Sequence, residues 1–362
     1  MKALFLAGGK GTRLQPLTNG IPKPMVPILN KPLLERTMLH LKKSGISEMV
    51  ISSCYQPKKI KDYFGDGERF ELKIRYIVED LPLGTGGAIK NTEDLFDDTF
   101  IVFNSDILCD IDIQKIMDYH KKSHALATIA VTEVEDPSAY GVIESNKRGY
   151  AVSFIEKPEA GSITSHFINA GIYIFEPEIF NEISLDGPVS VERVTFPKLL
   201  ENGQKIAVYK DHSYWIDIGT LEKYKQVHKD ILDGKCKMVD CNTSASGINL
   251  GRNVKIHPDS KIAAPVYIGD NVVIGAKAII SNSVIGNNVS IGVASRIIDS
   301  VIWDGVNISS DVRLMNTIIT SNCDIKKNLN YLNAVNSGKN MPLPGSQPTR
   351  LVVSNAHCSP MY

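Results

Sequence analysis

Ile268, Ile285, Ile302 and Ile319 recur every 17 residues, a spacing that neither an ordinary helix nor a hairpin produces. Ile274, Ile291, Ile308 and Ile325 keep the same interval, and so do Ile280, Ile297 and Leu314. Within each period the steps are six, six and five residues. Small or β-branched residues recur four positions after the first row, at Val272, Val289, Val306 and Cys323. This is the hexapeptide grammar of a parallel β-helix, in which each coil makes one triangular turn and buries an aliphatic side chain on each side. The coils are expected over residues 250–328. The phase breaks after that, so 329–362 is expected to be a capping or partly mobile tail.

The grammar upstream is different. Glu222 is the last Glu of the chain and Phe196 the last Phe. A linker is therefore expected at 233–249, with a first domain over 1–232. In that domain short apolar runs (Leu4–Ala7, Met49–Ser52, Ile74–Val78, Phe100–Phe103, Thr128–Val131) alternate with the helical patterns Pro32–Ser44 and Gln114–Ser123. Such βαβα alternation predicts an α/β domain: a Rossmann-like mixed, mostly parallel sheet with helices on both faces. Ligands in such sheets sit beyond the carboxyl ends of the strands. The glycines after Ala7 and the acidic turn after Phe103 both fall there.

Lys plus Arg and Asp plus Glu number 40 each, so no net field draws the chain to nucleic acid or an anionic membrane. The six cysteines show no CxxC spacing, and the apolar run Ala3–Ala7 is too short for a signal peptide or a membrane span. A cytoplasmic protein is expected.

Chemistry concentrates in a few charged positions. Gly8, Gly9 and Gly11 in "LAGGKGTRL" let backbone N–H groups approach an anion, and Arg13 has the planar guanidinium that suits a phosphate. The run is not a Walker A loop, and Leu14 occupies the third glycine position of a dinucleotide fingerprint. Lys23 is held between prolines in "IPKPM", and Lys157 in "FIEKP" repeats the Lys-Pro presentation. Asp106 directly follows an apolar strand, where it serves either as a helix N-cap or as a ligand. Asp217 lies in the apolar "YWIDIG" and needs a partner. Two aspartates meeting at one site would hold magnesium together with phosphates.

In order, "LAGGKGTRLQPLT…PKPM", "LPLGTGGA", "NSDIL", "YGVI", "IEKP", "INAGIY" and "WIDIG" resemble the motif series of the sugar-nucleotide pyrophosphorylases, over essentially residues 1–330. "VTEVEDPSAYGVI", "INAGIYIF" and "SVERVTFP" resemble most the mannose-1-phosphate guanylyltransferase branch. The resemblance implies a left-handed β-helix, since one follows the catalytic domain in many members. It also implies transfer of a nucleotidyl group from an NTP to a sugar-1-phosphate, with Mg2+ as cofactor. By the same resemblance Leu6, Ala7, Gly8, Gly9, Gly11 and Thr12 would line the nucleotide, with Arg13 on the leaving pyrophosphate. Gly84, Thr85 and Gly86 would lie near the base. Lys23 would meet the reacting phosphates and Lys157 the sugar phosphate. Gly141, Glu156 and Asn169 would contact the sugar, and Asp106 and Asp217 would hold the metal.

Guanine carries donors at N1 and N2, so Glu79 or Asp80 in "VEDLPLGTGG" could accept both, or these acids are simply solvated. A uridylyl- or thymidylyltransferase acting on glucose-1-phosphate, and a non-catalytic regulatory homologue, are the alternatives. Acyl transfer by the β-helix is disfavoured, because only His257 is at hand and no loop interrupts the coils. The partners expected are the small-molecule substrates and, through the β-helix, further copies of the chain in a homo-oligomer.

Overall fold

The computed structural model describes residues 1–159, 163, 165–184, 187–239 and 246–336, together with the backbone of 352–353. Part of the expected linker, most of the expected tail, and Cys241 and Cys358 lie outside the described residues. The chain divides into two compact units. The first contains residues 1–10, 21–25 and 33–217, and the second contains 11–20, 26–32 and everything from Ile218 onward.

The first unit is built on a nine-stranded sheet. Strand Lys2–Leu6 lies between Glu48–Ser53 and Phe100–Asn104, parallel to both, and Lys73–Val78 adds a further parallel strand. Alternate residues of these strands face opposite layers. Ala3, Phe5, Met49, Ile51, Ile101 and Phe103 pack with Leu34, Met38, Leu41, Ile60 and Phe64 from helices Leu33–Lys43 and Pro57–Phe64. Leu4, Val50, Phe100 and Val102 pack on the other side with Ile89, Phe196 and Leu199. Burial on both faces explains why the strands read as continuous apolar runs rather than alternating ones.

The parallel order ends at Phe167–Phe175, which runs antiparallel to both Phe100–Asn104 and Ala127–Glu133. The hairpin Gly141–Ser145/Ala151–Glu156 joins the sheet beside it, so the sheet is mixed. Phe167–Phe175 is also bulged, its register against Ala127–Glu133 shifting between Asn169 and Tyr173. A bulge re-aims side chains near a sheet end.

In the second unit the ladders stack the three aliphatic rows in register. Ile268, Ile285, Ile302 and Ile319 pair in sequence, as do Ile274, Ile291, Ile308 and Ile325. Ile280, Ile297 and Leu314 form the third row, and Tyr331 extends it. All these residues are buried. Every ladder of the coils is parallel, and one continues to Val335–Asn336, which pairs with Val352–Val353.

The corners obey the same period. Asn271, Asn288, Gly305 and Asn322 all have positive φ, and so do Lys277, Ala294, Asp311 and Asn328, and Asn282, Asp299, Asn316 and Asn333. Asn and Asp tolerate this left-handed conformation best among residues with a side chain. Their amides also bridge rungs: Asn253 Nδ2 donates to Asn271 and Asn271 Nδ2 to Asn288, each at 3.1 Å. Inside, Ser283 and Ser300 accept backbone N–H groups from the next rung at 3.1 Å, which satisfies a buried polar column.

Helix Leu221–Leu232 packs within this second unit. Tyr224 OH accepts from Trp303 Nε1 at 2.8 Å and donates to the Pro27 carbonyl at 2.8 Å. His228 Nε2 accepts from Leu29 N at 3.3 Å. Asn30 Nδ2 reaches Asn287 Oδ1 at 3.4 Å. The segment 26–32 is thus held by partners from the far end of the sequence.

Candidate active site

Leu6 and Asn104 are register partners at the carboxyl ends of adjacent parallel strands. Ser105 Oγ donates to the Leu6 carbonyl at 2.7 Å and fixes the turn that follows. Beyond these ends lies a 340 Å³ cavity within the first unit. Of the expected residues Leu6, Gly8, Gly9, Lys23, Glu79, Gly84, Thr85 and Asp106 line it, joined by Pro24, Pro82, Ala88, Asn104 and Ser105.

The glycines differ in kind. A Cβ on Gly9 would meet nothing within 4 Å, and one on Gly8 only ordinary contacts at 3.7 Å. The polypeptide itself does not demand glycine there, and both positions open on the cavity. At Gly84 (φ +74°) a Cβ would fall 2.5 Å from the Val189 carbonyl oxygen. The N–H groups of Gly86 and Gly87 donate to that same oxygen at 2.8 and 3.2 Å. Gly84 and Gly86 therefore have a packing reason, a close helix–loop approach. Ala7 is buried, and its N–H closes on the Ser52 carbonyl at 2.7 Å.

Lys23 is buried and its ammonium pairs with Asp106 Oδ2. Asp106 does not cap a helix. It sits in the turn between Phe100–Asn104 and Ile107–Cys109, and Asp112 caps the helix Ile113–Ser123 by accepting from Lys115 N at 3.0 Å. Ile107–Cys109 pairs antiparallel with Trp215–Asp217, and Asp217 stands opposite Ile107. The ladder thus brings the two aspartates within one register step of each other. Tyr140 OH donates to Asp217 Oδ1 at 2.8 Å, and its ring meets Trp215 edge-on at 5.8 Å.

Among the described residues no group of three or more His, Cys, Asp or Glu could hold a metal. A closed cage of the zinc type is therefore not built from them. Asp106 in the cavity wall and Asp217 opposite its strand neighbour Ile107 are the kind of carboxylate pair that suits a hard divalent cation taking its other oxygens from phosphate and water.

Glu79 is buried: Oε1 accepts from Ser52 Oγ at 2.8 Å and Oε2 from Leu83 N at 3.1 Å. Asp80 is exposed. Glu156 stands against Gly141, where a Cβ would fall 2.7 Å from Glu156 Oε2. Burial pushes the Glu156 carboxyl above its ordinary range, helped by Glu192 and opposed by Lys157 and Arg193. Asn169 Oδ1 accepts from Gly171 N at 2.9 Å and its Nδ2 donates to Tyr173 OH at 2.7 Å, so its amide shapes the bulge. Lys157 is exposed, at a positive φ, with its N–H on the Tyr140 carbonyl at 2.9 Å.

Gly11, Thr12 and Arg13 belong to the second unit, where Gly11 (φ +63°) opens a short 3₁₀ turn and Thr18 Oγ1 donates to its carbonyl at 2.9 Å. Sequence reasoning missed Asn104, Tyr140 and Glu192. A signal existed for Glu192 in a carboxylate set among the apolar residues of "SVERVTFP".

Residues 2–234 match the nucleotidyl transferase family, and residues 221–337 match the EIF2B subunit epsilon LbH domain. A mannose-1-phosphate guanylyltransferase of Mycobacterium tuberculosis is 40% identical over 64% of this chain and 65% of its own length. The chain thus spans just under two thirds of that relative. A UTP–glucose-1-phosphate uridylyltransferase of Synechocystis is 36% identical over 74% of each chain. Among solved structures, HddC from Yersinia pseudotuberculosis, complexed with GMP-PN, is 32% identical and aligns with a TM-score of 0.55, covering 64% of this chain and 99% of that one. Matched family, cavity and stacked coils agree: this chain belongs to the nucleotidyl transferase family and continues into a C-terminal LbH domain.

Proposed function

We propose that the chain transfers a nucleotidyl group from an NTP to a sugar-1-phosphate, with GTP and mannose-1-phosphate as the substrate pair and Mg2+ as the divalent metal. The observation that carries this reading is one cavity with the buried Lys23, its half-buried partner Asp106 and the buried Glu79 all in its wall. A sugar-phosphate oxygen attacks the α-phosphorus, a new P–O bond forms, the bond to the β-phosphate oxygen breaks, and pyrophosphate leaves. That oxygen is already ionised near neutrality, because a phosphate monoester has a second pKa of ~6. No general base is needed, and catalysis reduces to alignment and charge neutralisation. When bound between Asp106 and Asp217, magnesium would supply positive charge to the phosphates. Lys23 adds a cation at the same end of the cavity, and Gly8 and Gly9 leave room for the nucleotide. Lys157 would meet the sugar phosphate, Arg13 the pyrophosphate, and Gly141, Glu156 and Asn169 the sugar.

Glu79 favours guanine. A carboxylate accepts about four hydrogen bonds; two are taken, which leaves capacity for guanine N1–H and N2–H. The uridylyltransferase relative supports glucose-1-phosphate and UTP as the second reading. A matrix of NTPs against mannose-1- and glucose-1-phosphate, following pyrophosphate release with magnesium, separates them. Release is expected to be fastest with GTP and mannose-1-phosphate. Preference for UTP would move the assignment to the second reading, and no release with any pair would leave a regulatory homologue.

No helix of the described residues is long and apolar enough to cross a membrane. Self-association is assigned to the β-helix, whose outer surface exposes Val273, Val293, Met315 and Leu332. Sedimentation showing only monomer at micromolar concentration would count against it.

A further inference from the structure

The chain forms a π-helical turn over Val191–Thr195, immediately before helix Phe196–Glu201. Such turns are rare and recur at functional sites. Here Val191, Glu192 and Thr195 are all buried, and Glu192 is only 7% exposed. A carboxylate at that depth needs donors, and three hydroxyls supply them. Thr85 Oγ1 and Ser190 Oγ donate to Oε2 at 2.5 and 2.7 Å, and Tyr173 OH donates to Oε1 at 3.1 Å.

The donors come from three elements: Thr85 from helix Gly84–Lys90, Tyr173 from strand Phe167–Phe175, and Ser190 from the cap of the turn itself. Thr85 lines the cavity beside Gly84 and Glu79, and its Oγ1 accepts from Val191 N at 2.9 Å. Val189 N donates to the Leu83 carbonyl at 2.8 Å, so the turn and the start of the glycine-rich helix are cross-braced. Tyr173 lies on the strand that carries Asn169, and accepts from its amide. One carboxylate thus joins Thr85, in the cavity wall, to Tyr173, on the strand that carries Asn169, the residue proposed to meet the sugar.

We infer that Glu192 is a positioning residue that ties the two substrate walls together, so that binding of nucleotide and binding of sugar phosphate order the same brace. The inference rests on the nucleotidyl transfer proposed above. Glu192 acts through Thr85 and Tyr173 and touches neither substrate. It also faces Glu156, whose carboxyl is further influenced by Lys157 and Arg193 and which lies close enough to Tyr173 to act on its hydroxyl. Removing the Glu192 charge relieves a like-charge repulsion on Glu156 and lets it ionise at lower pH.

Steady-state kinetics on the full chain with the preferred substrate pair test this. Glu192→Gln keeps the shape and removes the charge. Both KM values are expected to rise together by about tenfold, the scale of a lost hydrogen-bond set on a charged group, while kcat falls less. The acid limb of kcat/KM for the sugar phosphate should move to lower pH. Thr85→Val should raise KM for the nucleotide alone, and Tyr173→Phe that for the sugar phosphate alone. Adding Thr85→Val to Glu192→Gln should raise the nucleotide KM no further. A Glu192→Gln protein with unchanged KM values, or with only one raised, overturns the coupling. Should that variant fail to fold, nucleotide binding with and without sugar phosphate decides. Affinity should rise with sugar phosphate in the parent chain and not in the Thr85→Val or Tyr173→Phe proteins, and an equal response in all three overturns it. A parent chain that turns over no pair overturns the functional reading and this inference with it. Turnover with an unaffected Glu192→Gln overturns this inference alone.

Discussion

Asp106→Asn and Asp217→Asn are each expected to lower turnover by about a thousandfold, ~4 kcal/mol of transition-state stabilisation, with the fold unchanged. The proposed chemistry needs charge neutralisation more than proton transfer, so loss of one carboxylate would remove its main lever. Each substitution is nearly isosteric. In the Asp106→Asn protein the amide would still fit the turn beside Lys23. Lys23 is buried, its side chain 11% exposed against 33% for Asp106, and the Asn amide would keep an oxygen to accept from the lysine ammonium. In the Asp217→Asn protein the amide would keep an oxygen for the Tyr140 hydroxyl that now donates to Asp217. Magnesium titrations should show each variant needing more metal for its residual rate. Near-normal turnover in either variant, with a normal magnesium response, would remove that aspartate from the site.

Ile302→Ala is expected to cost the second unit about 2–5 kcal/mol. Ile302 is 0% exposed and lies between its register partners Ile285 and Ile319. In a coil stack each rung touches mainly the rungs above and below. Neighbours fixed in register by the ladder cannot slide in to fill the space, so the cavity should persist. Val273→Ala is the control: at 46% exposure it should change stability by less than about 0.5 kcal/mol. Denaturant midpoints compared at equal slope measure both. A loss below about 1 kcal/mol at Ile302 would mean that the rung relaxes and that the ladder is softer than its register implies.

The coils were legible because their interior repeats along one dimension, so a row such as Ile268–Ile285–Ile302–Ile319 is visible without any knowledge of distant contacts. The corner residues share that period, and Asn271, Asn288 and Asn322 could have been read the same way. The site was legible as separate motifs rather than as an arrangement. Lys23 and Asp106 each stood out, but their pairing depends on a turn that sequence spacing does not encode. Asp106 as a helix cap was equally open on the page, and only the position of Asp112 decides it. Gly84 lines the cavity as a ligand-facing glycine would, and its positive φ and the nearness of Val189 add a packing role that the motif alone does not show. The brace around Glu192 was hidden because two of its donors, Thr85 and Tyr173, lie far from it in sequence. Gly11, Thr12 and Arg13 read as one motif with Gly8 and Gly9, yet the chain passes from one unit to the other between them.

The interleaving of the two units has a consequence for synthesis. Pro27 and the Tyr224 that donates to it are 197 residues apart, and Asn30 and Asn287 are 257 apart. At ~5–20 residues per second, a ribosome delivers these partners on the order of ten to fifty seconds after the segment 26–32 has been made. The stretch leading away from Lys23 must therefore wait, undocked, until the first coils have been translated. A nascent chain arrested before Tyr224 would carry every aspartate and lysine of the proposed chemistry and still lack the anchor for the loop that follows its first lysine.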